Sequence, residues 1–231
     1  MAIDRTMMKR RAAEKALELV ESGMAVGLGT GSTAEHFVNG LAGKVRAGEL
    51  DGIRCVASSD GIEEYARHRG ISCRSLGDVG ELDIAVDGAD EVDPELRLIK
   101  GHGGALLREK IIAQASLRFI VIVDESKLVQ RLGRGALPVE VSPFAADRFL
   151  VIFQEMGLDP APRLAEAGWL ITDDGNRIID LKVPVDRDIA DVVREIDDWA
   201  GVIDTGFFPD EATSVIVAGE DGTRELIREE G

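Results

Sequence analysis

Residues 118–124 read Arg-Phe-Ile-Val-Ile-Val-Asp, an apolar run with no polar alternation. A strand with one wet face alternates apolar and polar side chains, whereas a strand apolar at every position is buried on both faces. The run therefore asks for a sheet centre covered by helices on either side. The preceding sequence supplies those layers. A helical segment from Arg5 to Glu21 feeds the short strand "MAVGLG", a helix from about Ala34 leads to "IRCVASSD", and a third helix, "IEEYARHRG", leads to "ISCRSL". The strand "LDIAVDGAD" and the segment "LRLIKGHGGALLREKIIAQAS", in which a glycine turn opens a helix, come before "RFIVIVD". Such alternation implies a parallel sheet with helices on its faces, and ligands bind beyond the carboxyl ends of such strands. The glycine and carboxylate clusters fall at those ends.

From about Leu132 the rhythm changes. The segment "ALPVEVSPF", the helix "AADRFLVIFQEMG", and "WLITDDGNRIIDLKV", with Asp174-Gly175 as a hairpin turn between two alternating strands, precede the helix "IADVVREIDDWAG" and the strand "VIDTGFF". This reads as a small α+β sandwich inserted into the larger domain, with "TSVIVAG" as a last strand returning to the first sheet. The expected fold is α/β, a parallel-sheet domain over residues 1–131 and 206–231 with an inserted α+β domain over 132–205.

At 231 residues and 45% hydrophobic composition, the chain has enough apolar surface for one large core or two modest ones. The formal charge of −16 repels polyanions, so nucleic acid and anionic membranes are poor partners, although local amides and a few lysines can still hold a small phosphate ester. Apolar runs are too short to span a bilayer, and the N-terminus lacks the pattern of a signal peptide, so the expected location is cytoplasmic. Cys55 and Cys73 are the two cysteines, with no CxxC or His-rich spacing to suggest zinc, and reduced thiols are expected.

The stretch "AVGLGTGSTAEHF" sets Gly27, Gly29 and Gly31 after a strand and before a helix. Glycines let backbone amides converge, the helix start adds a positive dipole end, and Ser32 and Thr33 add hydroxyls, which together make a phosphate cradle. A nucleoside triphosphate loop is excluded because no Gly-Lys-Ser/Thr follows, and the dinucleotide fingerprint fits only partly, with Ser32 at the third glycine position and Asp60 late for a ribose-binding acid. A tight turn with capping hydroxyls is the alternative. In "VDGADEVD", Asp87, Asp90, Glu91 and Asp93 crowd a turn where mutual repulsion can raise a carboxyl pKa, or they form a solvated acidic turn. Their spacing matches neither a calcium loop nor a histidine-carboxylate metal set. In "IKGHGGALLREK", Lys100 precedes a second glycine turn, while Ala105, Glu109 and Ile112 share one helical stripe. Glu109 on a partly apolar face suits a general base, and a surface charge run with Arg108 and Lys110 is the alternative.

Together with "SSD", "DESKLV", "LPVEV", "TDDGN" and "GFF", these clusters closely resemble the A-type ribose-5-phosphate isomerase family through nearly the whole chain. The resemblance implies a Rossmann-like domain carrying a smaller α+β (ferredoxin-like) domain, no metal or organic cofactor, a homodimer, and interconversion of D-ribose 5-phosphate with D-ribulose 5-phosphate. It implies substrate binding by Thr30, Gly31, Ser32 and Thr33, by Asp87, Gly88, Ala89 and Asp90, by Lys100, Gly101, His102 and Gly103, and by Lys127. Glu109 is the implied proton acceptor, with Lys100 at the developing oxyanion and Asp87 or Asp90 assisting ring opening and hydroxyl proton transfer. Ser32, Thr33 and Lys127 would meet the phosphate, with Lys9 as an extra candidate. Many members have glycine where this chain has His102, which is given no catalytic role here.

Overall fold

The computed structural model describes residues 5–228, so positions 1–4 and 229–231 of the expected first domain lie outside the described residues. The chain divides into two compact units. The first runs to Ala89 and takes in Arg108–Leu128 and the described residues from Asp210 onward, while the second comprises Asp90–Leu107 and Val129–Pro209.

In the first unit a six-stranded sheet runs in the order Gly222–Ile227, Ser214–Gly219, Phe119–Asp124, Ile84–Asp87, Ala25–Leu28, Arg54–Ala57. Every pairing is parallel except the hairpin between Ser214–Gly219 and Gly222–Ile227. Phe119–Asp124 is buried at all six positions and lies inside the sheet, as its unbroken apolar run requires. Helices Arg5–Leu17, Ser32–Ala47 and Asp60–Arg67 contribute Ala12, Ala16, Phe37, Leu41, Ile62 and Ala66 to a core shared with Val26, Leu28, Ile84 and Ile122. Ser59 starts the third of these helices by accepting a hydrogen bond from the Ile62 N–H at 3.1 Å.

Two expectations for this unit need correction. The segment "ISCRSL" forms no sheet strand, since only an isolated bridge joins Cys73 to Cys55 and Ser75 then caps the short helix Leu76–Val79. Ser214–Gly219 is also not the last strand. The chain turns back at Gly222, whose φ of 130° suits glycine, into the antiparallel edge strand Gly222–Ile227.

In the second unit the order Val202–Thr205, Leu137–Val141, Arg177–Lys182, Asp159–Pro162 makes a four-stranded sheet with antiparallel pairings throughout. Helices Ala146–Glu155 and Ile189–Ile196 follow its first and third strands in chain order, which gives the βαββαβ pattern of ferredoxin-like folds. Phe149, Phe153, Val192 and Ile196 share a core with Val139, Ile179 and Leu181. The Asp174-Gly175 turn forms, with Gly175 at φ 81°, but its first arm is reduced to one bridge between Ile171 and Arg177. The true neighbour of Arg177–Lys182 is Asp159–Pro162, whose two prolines are tolerated because it lies at the sheet edge.

Residues 90–107 group with the second unit because Glu91–Val92 and Leu98–Ile99 form a small antiparallel sheet with Phe207–Phe208, and Ile99 and Phe207 enter its core.

Candidate active site

The first unit places its candidate residues at the carboxyl ends of parallel strands. Ala25–Leu28 has Arg54–Ala57 on one side and Ile84–Asp87 on the other, so the chain order reverses here, the place where open α/β sheets bind ligands beyond their strand ends. Gly29 follows one of these strands and Asp87 ends another. A Cβ built on Gly29 would stand 2.1 Å from the Asp87 carboxyl carbon, so only glycine lets the two meet. Asp87 is 2% exposed, and its Oδ1 accepts the Gly88 N–H at 2.7 Å.

Beyond Gly29 the loop opens the helix Ser32–Ala47 through Gly31, at φ 108°, a conformation that favours glycine, and no side chain caps this helix start. Thr33 sits beside the next loop, with its Cβ 3.9 Å from where a Cβ on Gly88 would lie. Thr30 Oγ1 donates to Ser59 Oγ at 2.8 Å, so its 2.7 Å contact with Ser58 Oγ uses the Ser58 proton. Lys9 Nζ donates to Ser32 Oγ at 2.8 Å, which sets an ammonium against the helix start. Lys127 ends the short 3-10 turn Glu125–Lys127 after Phe119–Asp124, and Asp124 fixes that turn by accepting from the Ser126 N–H.

Glu109 is buried, at 4% exposure, on the helix Leu106–Gln114, sharing its inward side with Leu106, Ile112 and Ala113. Its neighbour Arg108 turns instead to Asp60 at 2.7 Å, which separates the two members of the charge run. That contact also occupies the acid considered for ribose binding.

The second unit holds Asp90 and the segment from Lys100 to Gly103. Lys100 is 2% exposed, its N–H donates to Gly206 O at 2.8 Å, and its ammonium lies 5.6 Å from the Phe208 ring centre. Gly101 turns at φ 98° with Leu106 packed against it. Arg163 holds the turn from behind by donating to the Gly101 and His102 carbonyls while its other nitrogens bind Asp180.

The acidic cluster does not act as one crowded set. Glu91 accepts the N–H groups of Gly133, Arg134 and Gly135, and Asp93 accepts those of Glu95 and Arg97 and the Arg97 guanidinium. Both are tied to neighbouring loop groups, which sets their surroundings apart from those of Asp87, whose Oδ1 accepts the Gly88 N–H, and of Asp90, whose Oδ2 accepts the His102 N–H. Sequence reading also passed over Ser58 and Ser59, although two hydroxyls ending a parallel strand are the same signal that marked Ser32 and Thr33. Arg163 left no local signal, because its partners are distant in sequence. Among the described residues no group of three or more His, Cys, Asp and Glu side chains is placed to hold a metal ion.

A parallel sheet whose switch point gathers hydroxyls, a helix start and a buried aspartate defines an α/β protein built to hold a small anionic, hydroxyl-bearing ligand. Comparison with known proteins narrows this class. A family model described as ribose 5-phosphate isomerase A (phosphoriboisomerase A) matches residues 54–222. The ribose-5-phosphate isomerase A of Deinococcus radiodurans is 44% identical, over 98% of this chain and all of that protein. A probable ribose-5-phosphate isomerase 2 of Arabidopsis thaliana is also 44% identical, over 97% of this chain and 88% of the relative. A solved D-ribose-5-phosphate isomerase in complex with phospho-erythronic acid superposes with a TM-score of 0.94 at 41% identity, covering 98% of this chain and all of that one. The enzyme of Methanocaldococcus jannaschii superposes at 0.90 with 38% identity, covering 97% of this chain and all of that one. The chain belongs to the ribose 5-phosphate isomerase A family.

Proposed function

We propose that the chain is an aldose-ketose isomerase that interconverts D-ribose 5-phosphate and D-ribulose 5-phosphate through a cis-enediolate, a step of the non-oxidative pentose phosphate pathway. The full-length likeness to isomerases carries this reading, and a carboxylate buried among aliphatic side chains gives it a chemical agent.

The carbonyl moves from C1 to C2 when one base takes the C2 proton of the open-chain aldose and returns it to C1 on the same face. Glu109 is assigned that role, its apolar surroundings keeping water from competing for the proton. Charge developing on the carbonyl oxygen needs a fixed cation and donors, which Lys100 and the amides of its glycine turn supply. Asp87 and Asp90 open the furanose ring and move protons between the O1 and O2 oxygens. Ser32, Thr33, Lys127 and Lys9 take the phosphate, and holding that end aligns the reacting carbons. These proton transfers need no redox partner or metal, so chelator-treated protein given ribose 5-phosphate alone should produce ketose.

The direct test is Glu109→Gln. Turnover should fall at least ~100-fold while substrate affinity stays within about tenfold, the scale of a lost general base. Near-normal turnover rejects the role of Glu109. A carboxylate-ended sugar acid phosphate, as mimic of the enediolate, should inhibit competitively.

The expected setting is the cytoplasm, and the expected assembly a homodimer. Among the described residues no helix is long and apolar enough to cross a membrane, and Phe144 and Val185 expose apolar surface of the kind a second copy would cover. A monomer mass by light scattering rejects the dimer.

A further inference from the structure

Within the second unit the His102 side chain makes contacts that a glycine could not. Its main-chain N–H donates to Asp90 Oδ2 at 3.1 Å, and its ring Nδ1 lies 3.4 Å from the other carboxyl oxygen, Oδ1. The far side of the ring is fixed as well, with Nε2 3.2 Å from the Ala136 carbonyl oxygen. Gly135 leaves room for it, since a Cβ there would stand 3.3 Å from His102 Cε1. The loop carrying Gly135 and Ala136 is held by Glu91, which accepts its successive N–H groups.

A carbonyl oxygen only accepts, so the contact at Ala136 sets the hydrogen on Nε2 and turns Nδ1 toward Asp90.

We propose that His102 is a positioning residue for Asp90, holding its carboxyl group through the main-chain N–H at one oxygen and the imidazole at the other. The inference rests on the role given to Asp90 above. In the isomerisation the held carboxyl group keeps one orientation toward the two substrate oxygens between which it carries a proton. The neighbouring loops are held by groups other than the His102 ring, with Glu91 accepting the N–H groups of Gly133, Arg134 and Gly135 and Arg163 donating to the Gly101 and His102 carbonyls, and neither residue changes in the variants below.

The test combines kinetics of His102→Ala, Asp90→Asn and the double variant. His102→Ala keeps the backbone tether, so kcat should fall only about tenfold, less than for loss of a proton-transfer group, with KM within about threefold. In the Asp90→Asn background the same change should alter kcat less than about twofold, because the group that His102 serves is already lost. Equal losses in both backgrounds, or a loss in His102→Ala that falls on KM alone, overturn the proposal. Full activity of Asp90→Asn would instead remove the catalytic role of Asp90, and the proposal with it.

Discussion

Gly29 and Asp87 are packed so closely that any side chain at the first would displace the carboxyl group of the second. A Cβ on Gly29 would stand 2.2 Å from Asp87 Oδ1 and 2.4 Å from Asp87 Cβ. Gly29→Ala should therefore cost about 1–3 kcal/mol of stability by overpacking and lower kcat/KM at least ~30-fold. The clash is specific to one partner, so Gly29→Ala should destabilise less when introduced into Asp87→Gly. Denaturant titration of the four proteins measures the coupling, and additive losses would show that the strain lies elsewhere.

Lys127 and Lys9 carry the cations expected at the phosphate end. Lys127→Ala should raise KM for ribose 5-phosphate about tenfold and Lys9→Ala somewhat less, with kcat changed by less than about threefold, as for loss of a charge-assisted hydrogen bond. Binding of unphosphorylated ribose should be unaffected. An equal loss for the two sugars would place neither lysine at the phosphate.

Glu140 is buried in the second unit, where Thr172 and Asn176 donate to its Oε1. Burial pushes its pKa up, against the lowering effect of those hydrogen bonds and with help from Asp174 and Asp204. A carboxyl group with a raised folded-state pKa binds its proton more tightly in the folded than in the unfolded chain. Its stabilising contribution is thus complete below the unfolded value and is lost as pH rises through the folded one. Glu140→Gln should remove that dependence, so the Tm difference between variant and parent should shift in favour of the variant as pH rises from about 4 to 8. A difference flat with pH would rule out titration of Glu140 over that range.

The two thiols should be sluggish nucleophiles. Burial pushes Cys55 up to about 12, with the nearby Cys73 adding to it, and burial followed by the charge of Glu63 pushes Cys73 to about 11. At pH 8 the thiolate fraction is then roughly one part in ten thousand and one in a thousand, so a disulfide reagent should label the folded protein far more slowly than the unfolded chain. Labelling of Cys55 at the rate of a small-molecule thiol would contradict this.

Where one physical cause dominated, the fold was legible in the sequence. The run "RFIVIVD" announced a buried central strand because no polar atom interrupts it, and "VGLGTGST" announced a strand-to-helix turn because glycine and hydroxyl residues do the same work wherever that turn occurs. The burial of Glu109 was legible only through helical spacing, which put it in line with Ile112 while Arg108 turned to Asp60. Local cues failed where distant chain segments decide. Asp159–Pro162 is a strand because Arg177–Lys182 offers it an edge, and "ISCRSL" is not one because the chain turns into a short helix capped by Ser75. Glu91 and Asp93 looked alike to Asp87 and Asp90 in sequence. Their partners, the loop at Gly133–Gly135 and Arg97, come from other parts of the chain or from its folding back, and no local pattern announces them.

The strand Ser214–Gly219 lies beside Phe119–Asp124, although Val129–Pro209, the larger part of the second unit, is encoded between them. A chain still emerging from the ribosome thus exposes one edge of its most apolar strand until nearly all of the protein has been translated, while the βαββαβ segment has already been released and is free to collapse. During synthesis the smaller unit can be finished first, and the interval before the late strand arrives is when a nascent molecule most needs protection from pairing with its neighbours.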